Sequence, residues 1–261
     1  MVWEVRAGNG PHLPDTFDAL TIVLAARAVL TYVIVLAYIL AAGPIGLVFA
    51  AVFRWKRGLY ALGHAGVRLA LACAGVRYRV AGREQIPDTA VVFCSNHESN
   101  VDPPVLFEAL HPQLHVLYKA ELHRFPIMGR VFDVGGFVPI DRDDREKAMA
   151  SIARGAEALR AGRSFLIFPE GTRSRTGRLL PFKKGGFIMA IKAQVPIVPV
   201  AVQGGRAAMS KGSALVRPVR VTVRIGTPIP TAGLTLNQRD DLIDRVRDEV
   251  ERLRGMGSLW D

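Results

Sequence analysis

The first part of the chain changes from polar to strongly apolar. Residues 1–18 contain prolines and glycines and predict a flexible leader. From Ala28 to Phe53 no residue is charged. A straight helix of that length would measure about 39 Å, more than the roughly 30 Å hydrocarbon core of a bilayer. Gly43-Pro44 interrupts the segment, because proline lacks an amide hydrogen and clashes with the preceding helical turn. The pattern therefore predicts either one kinked spanning helix or a wedge that enters and leaves the same leaflet.

A second helical segment follows the first. Tyr60–Val76 is apolar but carries His64 and Arg68, which is typical of a helix at the membrane surface. Three basic residues lie between the two segments: Arg54, Lys56 and Arg57. By the positive-inside rule they place the rest of the chain on the cytoplasmic side. We expect residues 19–76 to form membrane-associated helices.

Short apolar runs alternate with helical patterns in the rest of the chain. Seven runs have the length and composition of strands: Tyr78–Val80, Ala90–Cys94, Val116–Tyr118, Phe137–Ile140, Phe165–Phe168, Ile197–Val202 and Val219–Ile225. Apolar residues at helical spacing predict helices at Pro103–Leu110, Arg145–Ala161 and Asp240–Leu253, the last capped by Asn237. This alternation predicts a layered α/β domain over residues 77–230, followed by a C-terminal helix and tail over residues 231–261.

Composition narrows the functional classes. The chain is 50% hydrophobic, which excludes a disordered protein, and it carries a formal net charge of +11. Its two cysteines, Cys73 and Cys94, can form neither a disulfide framework nor a four-cysteine zinc site. Asp and Glu are missing from two long stretches, residues 19–82 and 171–239. These features predict anionic partners, either phospholipid headgroups, phosphorylated substrates or nucleic acid.

A histidine and a carboxylate flank the turn after the second predicted strand. Asn96 and His97 follow Ala90–Cys94, and Asp102 precedes Pro103-Pro104. Across a turn the two side chains can approach, and a carboxylate that accepts from one imidazole nitrogen leaves the other nitrogen as a base. The alternative is structural, because Asp before a Pro-Pro pair is a good helix N-cap and a single histidine is usually structural.

A second turn combines glycine, hydroxyl and guanidinium groups. Gly171, Thr172, Arg173 and Arg175 follow the predicted strand Phe165–Phe168. Arginine binds phosphate through two parallel hydrogen bonds, and the exposed amides of a turn add further donors. The turn therefore suits a phosphate group, with an ordinary charged surface turn as the alternative.

Four ordered blocks between residues 77 and 229 resemble the glycerolipid acyltransferases, specifically the 1-acylglycerol-3-phosphate (lysophosphatidate) acyltransferases. The blocks are Asn96-His97 with Asp102, the region from Lys119 to Arg142, the run from Phe168 to Ser174, and the run from Val195 to Val200. The resemblance implies an α/β acyltransferase domain, with a mixed sheet flanked by helices, on a membrane-embedded N-terminal helical segment.

The resemblance also implies the roles of individual residues. His97 would deprotonate the acceptor hydroxyl, and Asp102 would hold the imidazole and stabilise its cation. Lys119 and Arg173 would bind the acceptor phosphate, with Arg142 as a further candidate. Three residues would shape that pocket: Glu170, Gly171 and Thr172.

The implied reaction moves a fatty acyl group from acyl-CoA or an acyl-carrier protein to the free hydroxyl of 1-acyl-glycerol-3-phosphate, giving phosphatidic acid. Because a thiolate leaves easily, no acyl-enzyme is needed. No cofactor or metal is expected. The expected partners are the lysophospholipid acceptor, the thioester donor and the phospholipid membrane. We expect the protein in the cytoplasmic (inner) membrane, with its catalytic domain facing the cytoplasm. Glycerol-3-phosphate, another lysolipid and an acylated amino-acid lipid are the alternative acceptors.

Other classes of protein are weaker alternatives. A metal hydrolase would use His97 and Asp102 with ligands drawn from His111, His115 and His123. A nucleic-acid binder would explain the net charge but not the apolar segment, and the sequence has no recognition motif. A non-catalytic lipid-binding protein of the same fold stays open. Cys94 or Ser95 as a nucleophile is disfavoured, because neither lies in a Gly-x-Ser-x-Gly motif.

Overall fold

The computed structural model describes residues 19–53, 55–110, 113–141, 144–209 and 214–260. The predicted leader, residues 1–18, lies outside these ranges. The N-terminal part is a hairpin of two helices, α1 (Ala19–Phe53) and α2 (Lys56–Ala74).

The hairpin corrects one prediction. Helix α1 is a single helix of 35 residues that continues through Pro44, so a turn at Gly43-Pro44 is wrong. A long helix with a packed neighbour keeps its other backbone hydrogen bonds when proline removes one. Gly43 permits close packing, since a Cβ there would lie 2.9 Å from Ile127 Cγ2. The chain reverses only after Phe53.

Helix α1 lies along the rest of the protein and does not project from it. The Tyr38 hydroxyl donates to the Leu62 carbonyl of α2 over 2.8 Å, and the Tyr32 hydroxyl donates to the Ala214 carbonyl over 2.8 Å. Its outer face carries large apolar side chains that are about half exposed: Ile22, Val23, Val29, Leu30, Val33, Leu36, Leu40, Ile45 and Val48. Among the described helices, length and composition would allow only Thr21–Ala50 to cross a membrane.

All seven predicted strands are present in one sheet of the described chain. They are β1 (Val76–Ala81), β2 (Val92–Ser95), β3 (His115–Lys119), β4 (Val138–Ile140), β5 (Phe165–Ile167), β6 (Ile197–Gln203) and β7 (Val219–Ile225). Their order is β1-β7-β6-β2-β5-β3-β4. Strands β6, β2, β5, β3 and β4 are parallel, whereas β7 is antiparallel to β6 and parallel to β1. The predicted mixed sheet is therefore confirmed.

Helices cover both faces of the sheet. The remaining helices are α3 (Asp102–Ala109), α4 (Pro126–Gly135), α5 (Arg145–Arg160), α6 (Gly185–Ala193), α7 (Gly205–Ala208) and α8 (Arg239–Gly255). Helices α2 and α3 bury Leu71 and Leu106 in a core on one face, and α5, α6 and α8 bury Ile152, Phe187 and Val246 in a core on the other. Helices α4, α6 and α7 have no counterpart among the predicted helices.

The predicted cap of the C-terminal helix is wrong. Asn237 lies inside a short 3₁₀ helix, Leu236–Gln238, that precedes α8. Thr235 and Gln238 form a reciprocal capping box there, with the Thr235 amide donating to Gln238 Oε1 over 2.9 Å. Thr235 therefore caps the 3₁₀ helix, and Gln238 is the N-cap position of α8.

The C-terminal strap, residues 256–260, crosses the outer face of β1 and β7. Trp260 Nε1 donates to the Val221 carbonyl over 3.1 Å, and the Arg79 guanidinium lies 4.3 Å from the centre of the Trp260 ring. The Leu259 carbonyl accepts from Arg79 Nη1 over 2.7 Å. The strap therefore joins α8 to the edge of the sheet.

The direction of the strands positions the site. Because β2, β3, β4, β5 and β6 are parallel, their carboxyl ends lie at one edge of the sheet. The loops that leave this edge contain the residues singled out in the sequence. An open parallel sheet binds its ligands at that edge.

Candidate active site

The His97–Asp102 pair forms at the carboxyl end of β2. His97 Nδ1 lies 3.0 Å from Asp102 Oδ2. The imidazole is 16% exposed, and the carboxylate is fully buried. With Nδ1 as the donor to the carboxylate, Nε2 carries the lone pair. The pair therefore has the geometry of an oriented base.

Asp102 is held from the residues that precede it. Its Oδ2 also accepts the amide hydrogens of Glu98 and Ser99, each over 2.6 Å. The carboxylate therefore does not accept hydrogen bonds from the first amides of α3. Asp102 is not the N-cap of that helix, which was the structural alternative. Asp102 Oδ1 is buried and has no hydrogen-bond partner among the described residues. A Cβ on Gly205 would lie 2.4 Å from it, so the start of α7 closes over this oxygen.

Asn96 joins the end of β2 to β6. Its Nδ2 donates to the Val202 carbonyl over 2.8 Å, and its Oδ1 accepts from the Val202 amide over 2.8 Å. The side chain thus continues the pairing of the strands beyond the last residue of β2. It fixes the backbone from which His97 projects.

The loop after β5 packs directly on His97. The Phe168 ring stacks on the imidazole with centroids 4.2 Å apart, and the His97 carbonyl accepts from the Ser174 amide over 2.8 Å. Glu170 accepts from the amides of His97 and Leu180, each over 2.8 Å. Burial raises the pKa of Glu170, and the two amide donors oppose that rise. Both carboxylate oxygens are engaged, so Glu170 braces the two loops.

The same loop carries Arg173, one of the predicted phosphate ligands, and the residues expected to shape the phosphate pocket. Arg173 Nη1 is buried without a hydrogen-bond partner among the described residues, while Thr172 is exposed. Gly171 adopts φ +67°, and a Cβ there would lie 2.9 Å from the Lys183 side chain. An arginine with a free buried nitrogen is suited to an anionic ligand. Lys183, which the sequence analysis did not assign to the site, brings a second cation to this turn.

Lys119 is less well placed than Arg173. Lys119 ends β3, which is separated from β2 by β5, and its Nζ pairs with Glu121 Oε1 at 2.6 Å. Its side chain is 58% exposed. Arg142 lies outside the described residues. The structure therefore brings together His97, Asp102, Glu170 and the loop with Arg173, and it places Lys119 on the same edge but in a surface ion pair.

An arginine from the C-terminal helix completes the site. Arg254 of α8 lies 3.4 Å from Glu98 Oε1 and donates to the Gly177 carbonyl, so it contacts both loops. Its side chain is 14% exposed. Burial raises the pKa of Glu98 to about 7, and Arg254 opposes that rise. Arg254 belongs to none of the sequence motifs. The only signal for it in the sequence is its position in the last turn of the predicted C-terminal helix.

The residues of the alternative chemistries have other roles. Cys94 is fully buried, and burial raises the pKa of its thiol. The Ser95 hydroxyl donates to the Asn96 carbonyl. His115 packs against Phe165, and His123 pairs with Asp133 on the surface, while His111 lies outside the described residues. Within the described ranges, no group of three His, Cys, Asp or Glu side chains could hold a metal ion.

An apolar cavity of about 320 Å³ lies on the other side of Phe168 from the histidine. Its wall includes Phe168, whose ring stacks on His97. The main apolar lining residues come from β3, β4, β5, α5 and α6: Leu117, Ile140, Met149, Ile152, Ile167 and Ile188. Lys183 and Gly171 lie at the same cavity. Apolar and cationic surfaces therefore meet in a cavity that the Phe168 ring separates from His97.

A His–Asp pair oriented at the carboxyl edge of a mixed α/β sheet can deprotonate a hydroxyl, and Arg173, whose buried Nη1 has no partner among the described residues, can bind an anion nearby. The profile of the family described as Acyltransferase matches residues 77–203. A 1-acyl-sn-glycerol-3-phosphate acyltransferase from Limnanthes douglasii is 32% identical over 73% of this chain and 68% of its own length. One from Cocos nucifera is 35% identical over 65% of this chain and 55% of its own length.

A solved structure agrees with these relatives. The crystal structure of the 1-acyl-sn-glycerophosphate (LPA) acyltransferase PlsC from Thermotoga maritima matches with a TM-score of 0.79 and 25% identity. The match covers 92% of this chain and 98% of that chain. The chain therefore belongs to the glycerolipid acyltransferase family whose relatives are 1-acyl-sn-glycerol-3-phosphate acyltransferases. The chain spans between about half and two thirds of the length of the two plant relatives. The resemblance found in the sequence is thereby confirmed.

Proposed function

We propose that this protein transfers a fatty acyl group from an acyl thioester to the free hydroxyl of 1-acylglycerol 3-phosphate, giving phosphatidic acid. The observation that carries the proposal is the 3.0 Å contact between His97 Nδ1 and Asp102 Oδ2 at the carboxyl edge of the sheet. The names of the relatives support the choice of acceptor.

The chemistry follows from the free nitrogen of His97. Nε2 takes the proton of the acceptor hydroxyl as the oxygen attacks the thioester carbonyl carbon. The new C–O bond forms and the C–S bond breaks. The leaving thiolate takes the proton back from the imidazolium, so the products are an ester and a free thiol. Asp102 stabilises the imidazolium in between, because three donors keep its Oδ2 oriented.

The acceptor phosphate is assigned to the turn after β5. Arg173 is the main ligand, since its buried Nη1 has no partner among the described residues. Lys119 and Arg142 stay predictions as ligands. Lys119 would have to leave Glu121, whose carboxylate lies 2.6 Å from its Nζ. Gly171 and Thr172 shape the turn, and Glu170 fixes it to the backbone of His97.

The apolar cavity beside Phe168 suits a fatty acyl chain. It lies directly behind the ring that stacks on His97, and its wall is mainly aliphatic. Burial of a chain there would contribute about 0.8 kcal/mol per CH₂ group. Both acyl-CoA and acyl-carrier protein fit this role as the donor.

The membrane is the expected location of the acceptor and the product. The outer apolar face of α1 would lie in the bilayer, and α1 contacts the rest of the protein along its length through Tyr32, Tyr38 and Gly43. These contacts favour a hairpin held in one leaflet over a helix that spans alone. The catalytic domain would face the cytoplasm, where acyl thioesters are made. A reporter fused to the C-terminus tests the orientation, and a reporter found outside the cell would contradict it.

The deciding experiment is an acceptor panel with the purified full chain. Lysophosphatidate and glycerol-3-phosphate are each assayed with acyl-CoA and acyl-carrier protein as donors, and labelled phosphatidic acid is measured. We expect phosphatidic acid from lysophosphatidate with at least one donor. Acylation of glycerol-3-phosphate alone would overturn the acceptor, and no turnover with any pair would leave a lipid-binding protein.

A further inference from the structure

We propose a second anion site in this protein, a groove that binds the headgroup of an anionic phospholipid away from the catalytic histidine. The arginine groove lies between α1, α2 and the first residues of β1 and β7, and has a volume of about 880 Å³. Four arginines line it: Arg27, Arg68, Arg77 and Arg220. None of its described lining residues is acidic. The proposal uses the membrane association proposed above but not the acyl transfer.

Arg27 is the most informative member of the groove. It is the only charged residue of the 35-residue helix α1. A charge in a lipid-facing helix is costly unless it reaches an interface or a partner. None of the described residues gives Arg27 a carboxylate partner. Its guanidinium lies at the end of α2, where a Cβ on Gly75 would be 2.5 Å from Arg27 Nη1, so glycine makes room for it.

The other arginines differ in how far they are already engaged. Arg68 Nε lies 2.9 Å from Glu108 Oε2, so part of its charge is neutralised. The Arg220 guanidinium lies 5.3 Å from the centre of the Trp260 ring, on the side of the strap. Arg77 is exposed and pairs in register with Arg220 across β1 and β7. Arg27 and Arg77 are therefore the members with charge left for a ligand.

The surroundings of Arg27 select a lipid over a free phosphate. Val23 and Leu30 lie one turn before and one turn after Arg27 on α1, and they are 60% and 59% exposed. They continue the apolar face of the helix up to the edge of the groove. A phosphate with acyl chains would place its anion on the arginines and its chains along α1. A free phosphate would use only the arginines.

The site is distinct from the turn that holds Arg173. The groove lies at β1 and β7, strand β6 separates β7 from β2, and neither His97, Asp102, Glu170 nor Arg173 lines the groove. A lipid there would hold the protein at an anionic surface without occupying the acceptor position.

The test is thermal unfolding of the full chain in neutral detergent, titrated with dioctanoyl phosphatidylglycerol, dioctanoyl phosphatidylcholine or inorganic phosphate. A ligand that binds only the folded state raises Tm by an amount that grows with the logarithm of its concentration relative to its Kd, so the titration gives the Kd. We expect phosphatidylglycerol to bind most tightly. Arg27→Gln should weaken that binding about fivefold or more, the factor expected for one basic side chain at an anionic lipid surface. Arg245→Gln on α8, at an exposed arginine, is the matched control and should bind as the wild type does.

Other outcomes overturn the proposal. Equal affinities of Arg27→Gln and the wild type would leave Arg27 as a cation at the C-terminus of α2. Loss of binding in Arg173→Gln alone would place the lipid in the acceptor site. If inorganic phosphate binds as tightly as phosphatidylglycerol, the acyl chains contribute nothing and the groove is not a lipid site. If Arg27→Gln does not fold, Arg77→Gln on β1 tests the same groove. Acyl transfer by Arg27→Gln with saturating substrate should be unchanged, so the two proposals fail separately.

Discussion

At the scale of single residues, the site depends on one carboxylate oxygen with three donors. Asp102 Oδ2 accepts from His97 Nδ1 and from two backbone amides in the same turn. The backbone donors hold the carboxylate whether or not the imidazole is present. The loop should therefore keep its shape when His97 is replaced, which separates catalysis from folding in a mutant.

Replacement of the base gives the most direct prediction. His97→Ala should lower acyl transfer by about 10²–10⁴ while the protein stays folded and membrane-bound, because only the proton acceptor is lost. His123→Ala is the control, since His123 is a surface histidine paired with Asp133. The rate of phosphatidic acid formation decides between them. Retention of more than about a tenth of the wild-type rate in His97→Ala would contradict the assignment.

The acceptor pocket can be tested with two neighbouring arginines. Arg173→Gln should raise the KM for lysophosphatidate about tenfold or more, with little change for the donor, because it removes a charge-assisted contact to phosphate. Arg175→Gln changes the same charge on an exposed arginine two residues later and should leave both KM values unchanged. Steady-state kinetics with each substrate varied in turn provide the measurement. Equal effects of the two substitutions would reduce Arg173 to a general surface charge.

Glu98 should make stability depend on pH. Burial raises its pKa from the ordinary 4.5 to about 7 in the folded protein. The folded state then binds the proton more tightly than the unfolded state, so Glu98 stabilises most below about pH 4.5 and least above about pH 7. As the pH rises from about 4.5 to about 7, the wild type should therefore lose stability relative to Glu98→Gln, which does not titrate at this position. Denaturation across the pH series measures it, and a constant difference would contradict the buried acid.

The sequence predicted the chemical residues better than their supports. His97, Asp102 and Arg173 stand in local motifs, so a single strand and its turn were enough to indicate them. Arg254 and the pairing of Asn96 with Val202 depend on contacts between residues more than 100 positions apart, for which the sequence gives no spacing. Lys119 shows that a motif alone does not place a residue in the site. Although it belongs to a motif, the structure puts it in a surface ion pair with Glu121.

At the scale of elements, strands were easier to predict than helices. The central strands β2, β5 and β6 are apolar runs because they are buried on both faces, whereas β1 and β7 alternate apolar residues with arginine because one of their faces is more exposed. Helix α6 begins with Gly185-Gly186, and α4 has prolines and glycines at its ends, so their composition resembles loops. Their helical state depends on packing against the sheet. Pro44 gave the opposite error, since it predicted a break where the structure has a helix. Contacts with α2 and α4 keep α1 continuous through this proline.

The hairpin predicts how the protein is held in the membrane. It should stay in the membrane fraction after a high-salt wash, because salt screens surface charge but not apolar insertion. The double substitution Leu36→Glu and Leu40→Glu should release much of the protein from the membrane fraction, since each charge buried in a bilayer costs about 2.5–3.5 kcal/mol. Leu236→Glu, at an exposed leucine before α8, is the control. Release of the wild type by salt alone would reduce the hairpin to an electrostatic contact.

The C-terminal strap predicts a contribution to stability far from the site. Trp260→Ala should lower the unfolding free energy by about 1–3 kcal/mol, because it removes the hydrogen bond to Val221 and the contact with Arg79. Trp260→Phe keeps the ring but not the donor, so an intermediate loss is expected. Chemical denaturation of the three proteins is the measurement. Identical stability of all three would mean that the strap is only loosely attached.

At the scale of the whole molecule, the parallel strands collect distant segments at one edge. The turns after β2 and β5 are separated by more than 70 residues and share hydrogen bonds through Glu170 and Ser174. The order of the strands, which brings β5 next to β2, cannot be derived from the hydrophobic pattern alone. The layered α/β class was predictable because helices alternate with strands along the chain. The pairing of β2 with β5, which brings the two loops of the site together, was not.

Arg254 also sets the shortest chain that could work. A fragment ending at residue 230 would contain every motif that marks the family, including the residues of the His–Asp pair. It would lack all of α8 and with it Arg254, so Glu98 would have lost its cationic partner. We therefore expect the minimal active chain to extend beyond residues 77–203, the part that matches the Acyltransferase family. Transplanting the profile region alone into another membrane anchor would carry the reaction's chemistry without the brace that joins its two halves.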